Sequence, residues 1–314
     1  MKPHFFILIT IYLLIGCTAS TPATEETEEE AYQQSFEVLT LLGDSLFSAA
    51  TPSEGALAKF DSAKVEYEQN TDDPMALIWY GRRAGYLGKY NDAIAIFTEG
   101  ISKHPEDARM YRHRGHRYIS TRQYEKAIAD FEEAVALIQG KEDQVEPDGL
   151  PNDKGIPISS LHGNIWYHLA LAHYLQHDWE AAESAYESRY ETHQNDDNLV
   201  SATHWYYMTL RRMGREEETE ALLEPITPEL DIIENFVYLN TCLFYKGLMN
   251  EEALLATGGE DYPGDVTLYA LGNWYLYEKQ DTTTAKTYWE RVVQEGNKAS
   301  FAYLAAESEL VAFE

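Results

Sequence analysis

Small and apolar residues recur along this chain with a helical spacing that itself repeats. Gly81, Tyr90, Ala93 and Phe97 return 34 positions later as Gly115, Tyr124, Ala127 and Phe131. A fixed period of that length predicts stacked helix–turn–helix units, because neither helix of a unit buries its apolar stripe alone. Gly81 and Gly115 fall mid-helix, where glycine costs about 1 kcal/mol against alanine. Close approach of a neighbouring helix explains them. Ala93 and Ala127 provide the small surface for a tight crossing, and Phe97 and Phe131 fill the core one turn on. Pro105, after Lys103 and His104, stops the second helix of its unit. At the other end, Ala299 to Phe313 predicts one more helix. Phe301, Leu304, Ala305 and Leu310 would face inward, with Glu307 and Glu309 in water, as a cap over the last repeat.

These residues resemble the tetratricopeptide repeat (TPR) family. The first good unit runs from about Pro74 to Asp107 and adds Gly88 and Pro105; the second, Ala108 to about Lys141, adds Tyr118 and Ala134. A third begins near Gly163, with Trp166, Leu169, Trp179, Ala182 and Tyr186 at matching places. Looser units cover 200–229, which keeps Gly214 at its turn, then 232–260 with Ala253, and 265–297 with Leu271, Gly272, Tyr275, Ala285 and Trp289. Upstream, Ala56, Phe60 and Ala63 suggest a degenerate first unit over 35–73. The resemblance covers residues 35–314 and implies an all-α solenoid. It would be a right-handed superhelix of about six units with a C-terminal capping helix over 298–314.

The apolar pattern has a different meaning at the N-terminus. Lys2 precedes an apolar run from Phe5 to Ile15, too short to span a bilayer and laid out like a secretory signal. Leu14-Ile15-Gly16-Cys17 resembles a bacterial lipobox, which implies cleavage after residue 16 and a lipidated Cys17; the alternative is an ordinary signal peptide with a chance cysteine. Thr18 after the cysteine, by resemblance to Gram-negative lipoproteins, implies the outer membrane, with the body facing the periplasm or displayed at the surface. Residues 17–34 read as a disordered acidic tether, with Glu25, Glu26, Glu28, Glu29 and Glu30.

Charge narrows the partners. A formal net charge of −29 argues against nucleic acid, whose phosphates need basic surface. With 44% apolar and 13% aromatic residues there is ample material for a core. Cys242, within the apolar stretch Leu239 to Phe244, would be an inert core thiol. One region reverses the sign: Arg82 to Lys126 holds ten Lys or Arg against five Asp or Glu. In TPR proteins the first helix of each unit lines the concave groove. Transferred by position, that groove would present Arg82, then Arg109, Arg112, His113 and His116, then Asn164, Tyr167 and His168. Guanidinium forks suit carboxylates, so the expected ligand is a peptide or protein partner offering a C-terminus or acidic side chains. The competing reading is that these arginines pair with the chain's own Glu and Asp.

The segment Gln139 to Ser160 interrupts the array with a loop longer than regular repeats use. Its acids lack the regular spacing of a calcium loop. His173 and His177 are spaced i,i+4 without a third ligand placed by sequence. No metal, cofactor or small-molecule substrate is expected. The expectation is a non-catalytic scaffold or adaptor at the outer membrane. A second candidate is an accessory of outer-membrane protein assembly or secretion. An enzyme is the competing class; it would need the 139–160 loop, His168, His173 and Glu183 to converge on one metal-dependent site.

Overall fold

The computed structural model describes residues 32–259 and 262–313. The leader, Cys17 and the tether as far as residue 31 lie outside the described residues. Six helix pairs follow one another: α2 (Pro74–Tyr86) with α3 (Tyr90–Lys103), α4 (Ala108–Ser120) with α5 (Tyr124–Ile138), and α6 (Leu161–Leu175) with α7 (Trp179–Glu191). Then come α8 (Asp196–Arg212) with α9 (Glu216–Leu223), α10 (Phe236–Tyr245) with α11 (Glu251–Leu255), and α12 (Asp265–Glu278) with α13 (Thr282–Glu295). A lone helix, α1 (Glu54–Gln69), precedes them and α14 (Phe301–Ala312) follows. The 34-residue period recurs in the caps, where the Asp73 and Asp107 side chains accept the N–H groups of Met75 and Arg109.

The packing explains the glycines. A Cβ on Gly81 would stand 2.5 Å from Phe97 Cζ, and one on Gly115 would stand 2.9 Å from Phe131 Cζ. Each glycine is the seat of the phenylalanine one helix on. Gly81→Ala should therefore lower stability by about 1–2 kcal/mol, overpacking outweighing the gain in helix propensity. A rise in urea midpoint would show that Phe97 moves aside freely.

Every helix pair turns through one residue with positive φ: Gly88, Arg122, His177, Gly214, Gly247 and Gln280. Three are glycines, for which that region carries no penalty. Arg122 and His177 adopt it at φ 59° each, a strained choice for a residue with a Cβ. Their side chains explain the exception, because both reach α14.

Two expectations change here. Residues 35–73 are not a helical repeat. Phe36–Leu39 (β1) and Ser45–Phe47 (β2) form an antiparallel hairpin, turned at Gly43 with φ 87°, and only α1 follows. The Ala56, Phe60 and Ala63 spacing does lie in a helix, but the residues before it have no helical period. Nor is α14 a cap with a wet face. Ala302 to Glu309 are all buried, and Glu307 and Glu309 are fully so. Glu307 pairs with Arg122 (Nε–Oε2 3.1 Å) and accepts the N–H of Leu41. Glu309 pairs with Arg212 and accepts from the Tyr269 hydroxyl (3.2 Å). Ser308 donates to the Leu175 carbonyl (2.8 Å) and meets His177 Nε2 (3.2 Å). The helix touches first helices of several units at once, so residues 302–309 have no face left for water, and only its last turn is exposed.

Candidate functional site

The first helices of the first three pairs bring most of the expected groove residues together. Arg112 Nε lies 3.2 Å from Glu146 Oε2, and His113 Nε2 lies 3.3 Å from Glu146 Oε1. Asn164 Nδ2 donates to Glu146 Oε2 (2.5 Å). One carboxylate from the 139–160 loop thus occupies the point where three of the expected groove residues converge. The His116 ring lies 4.5 Å from His168, and Phe301 of α14 lies 5.5 Å from both. Tyr167 is 6.1 Å from the same ring. Arg112, His113, Tyr167 and His168 are consequently buried rather than presented to solvent. Arg109 stands apart: its Nε donates to its own capping residue Asp107 (2.8 Å).

The competing reading of the arginines holds for four of them. Arg109, Arg112, Arg114 and Arg122 pair with Asp107, Glu146, Asp130 and Glu307. It fails for two. Arg82 hydrogen-bonds the Tyr86 hydroxyl (3.1 Å) and lies over the Trp79 ring (4.4 Å). Arg117 lies over the Tyr90 ring (5.2 Å). Neither meets a carboxylate among the described residues. Both face a cavity of about 120 Å³ whose floor is Gly81 and Gly85. Arg112, His113 and His116 complete its polar lining, and no carboxylate takes part.

The electrostatics follow from that crowding. Burial, with the charges of Arg112 and Arg82 adding to it, pushes Arg117 down to about 10. Burial also holds His113, His116 and His168 well below the ordinary histidine value, and nearby arginines reinforce it. The imidazoles are therefore neutral, and the net positive charge of the cavity resides on guanidinium groups. A small anionic group satisfies such a site; a cation does not.

The loop that supplies Glu146 is firmly built. Val145 and Ser160 form an antiparallel bridge, and Glu146 N–H donates to the Ser159 carbonyl (2.9 Å). Asn195 and Asn198 both donate to the Ile158 carbonyl (2.9 Å each). Arg83 donates to the Gly149 carbonyl (3.0 Å). Against the wall of the solenoid, the loop leaves a second cavity of about 120 Å³ that shares Arg82 and Arg112 with the first.

The residues proposed for an enzyme go to separate partners. His168 Nδ1 contacts the Asn164 carbonyl (2.6 Å), His173 Nδ1 sits 3.3 Å from Asp178, and Glu183 pairs with Arg215 (3.0 Å). No cluster of three or more metal-ligating side chains occurs among the described residues. Cys242 is buried in α10, and burial pushes its thiol strongly up. Arg117 is the groove residue that sequence reasoning left out of the site, although it belongs to the same basic run. Arg122 and His177 carried a second signal: they replace glycine at the turn position where three of the units keep it.

The tetratricopeptide repeat family profile matches residues 81–142. No curated protein matches this chain. Among solved structures, it is similar to YrrB, a TPR protein with an unusual peptide-binding site, at 14% identity and a TM-score of 0.43, covering 81% of this chain and 100% of that one. It is also similar to a tetratricopeptide repeat protein from Parabacteroides merdae ATCC 43184, at 16% identity and a TM-score of 0.49, covering 81% and 92%.

Proposed function

We propose that this chain, which matches the tetratricopeptide repeat profile over residues 81–142, is a non-catalytic scaffold that grips a partner peptide through a carboxylate. The supporting observation is the cavity that Arg82, Arg112 and Arg117 share without a carboxylate, beside Glu146. Glu146 acts as an internal stand-in, taking the contacts that a ligand carboxylate would take. Phe301 and α14 fill the neighbouring part of the groove, so the ligand engages the α2–α4 end. The lipobox-like Leu14 to Cys17 supports an outer-membrane anchor with the solenoid facing the periplasm.

The test is affinity capture from detergent-solubilised membranes. Arg82→Glu/Arg117→Glu should lose the partner that wild type retains, since reversing charges in a desolvated cavity costs about 2–5 kcal/mol. Arg109→Glu should retain it, because Arg109 is turned to Asp107. Glu146→Gln should bind at least about tenfold tighter, about 1.4 kcal/mol, by removing the competing carboxylate. Circular dichroism checks each fold. Equal capture by all four proteins would overturn the carboxylate site.

A further inference from the structure

The hairpin that replaces the expected first repeat carries an apolar outer face. Its register pairs Phe36 with Phe47, Val38 with Leu46 and Leu39 with Ser45, with a bulge between Phe36 and Val38. The extra residue shifts the alternation of β1 by one, so Phe36 and Leu39 share a face that a regular strand would separate. That face holds Phe36 (51% exposed), Phe47 (47%) and Leu39 (54%), with Leu41 (42%) at the turn. The two phenylalanine rings meet edge to face at 5.7 Å. An exposed hairpin with this much apolar surface departs from the usual protection of sheet edges.

The back of the hairpin is locked to the solenoid. Glu37 accepts the Asn91 N–H (2.8 Å), and Asn91 Nδ2 donates to the Glu37 carbonyl (2.8 Å). Ala49 N–H donates to the Leu87 carbonyl (2.9 Å). Asp44 pairs with Lys298 (3.3 Å). Residues 31–53 contain only these two acids, Glu37 and Asp44, and no Lys or Arg. In a chain of net charge −29, this segment is nearly neutral, and both its carboxylates are engaged.

We propose that this face rests on a lipid bilayer, seating the solenoid at the membrane to which Cys17 tethers it; the inference rests on the lipid-anchor reading. Phe36 follows Cys17 by 19 residues, at most about 65 Å of chain, so the hairpin is the first described element after the anchor. Four apolar side chains bind a bilayer weakly by themselves. A tether raises their effective concentration towards the millimolar range, where weak contacts are populated. The acidic chain favours zwitterionic over anionic lipid.

The full lipidated chain would be reconstituted into vesicles of phosphatidylcholine and phosphatidylethanolamine. An environment-sensitive fluorophore would be placed on Phe47→Cys and, as control, on Leu248→Cys, which replaces a leucine 59% exposed on the α10–α11 turn. Flotation of wild type beside Cys17→Ser tests the anchor separately. The expected result is flotation of wild type only, with a blue shift and quenching by shallow spin-labelled lipid at position 47 but not at 248. Adding Phe36→Ser and Leu39→Ser should abolish the shift while the protein still floats. Floating protein with position 47 as wet as 248 overturns the docking and leaves the anchor standing. Failure of wild type to float overturns the anchor reading, and the proposal with it. A shift that grows with protein concentration in the absence of lipid assigns the face to a second copy and overturns the proposal.

Discussion

Glu309→Ala is expected to destabilise the protein by about 3–5 kcal/mol, the usual cost of removing one partner from a buried ion pair. Glu309 is fully buried, and its partner Arg212 lies over the rings of Trp179 (5.1 Å) and Tyr277 (5.6 Å). Without the carboxylate, that guanidinium keeps its desolvation and loses its counter-charge. His177 Nε2, 3.8 Å from the same carboxylate, loses a neighbour as well. The damage should extend beyond stability. Helix α14 is held through Glu307 and Glu309, and its release withdraws Phe301 from His116 and His168. Urea unfolding checks the first part, and hydrogen exchange in α4 and α6 the second. Glu290→Ala, at an exposed position of α13, should stay within about 0.5 kcal/mol of wild type. A loss below about 1 kcal/mol for Glu309→Ala would show that α14 is peripheral after all.

Acid should destabilise the fold well before its carboxylates titrate. Burial lowers His113, His116 and His168 well below the ordinary value and His204 to about 3. The groups around them are mostly cationic or neutral. Arg82, Arg112 and Arg117 face the groove histidines, with Glu146 as the one carboxylate on His113, and Thr241 and Tyr245 contact His204. A depressed folded value means that the unfolded chain binds more protons below about pH 6.5. Stability is therefore complete above that pH and falls as pH drops through it towards the folded values. At pH 5.5 each such histidine costs on the order of 1 kcal/mol, and the four together on the order of 5 kcal/mol. Comparing urea midpoints at pH 7.5 and 5.5 checks this, and His116→Gln/His168→Gln should flatten part of the slope. Carboxylates with lowered values, such as Glu99 and Asp281, lose their contribution only below about pH 4.5. Equal midpoints at the two pH values would mean that these imidazoles are hydrated in the folded protein.

Repeat position sets which way a side chain points, and it predicted that Arg82, Arg112, His113, His116, Asn164, Tyr167 and His168 share one face; the fold brings them close together there, with Glu146 and Phe301 packed among them. Arg109 failed that transfer: it stands two residues after its helix's cap and turns back onto Asp107. That Arg117 meets the Tyr90 ring rather than a carboxylate, and Arg112 meets Glu146, had no local signature. Neither did the hairpin, since residues 36–47 lack the helical period and their neighbours are settled by contacts with Leu87 and Asn91.

The repeating architecture is readable from the chain alone. A 34-residue period, mid-helix glycines and their phenylalanine partners are short-range features, and short-range sterics are written in adjacent residues. The tertiary structure alone decided what fills the groove. Arg122 and Glu307 are 185 residues apart, and Glu309 looks like any other acid in a chain with 53 of them. Spacing reveals that a helix has a charged side chain but not whether that side is wet. That depends on which distant surfaces close over it, and burial then changes the same residue from solvated ornament to the counter-charge of an arginine.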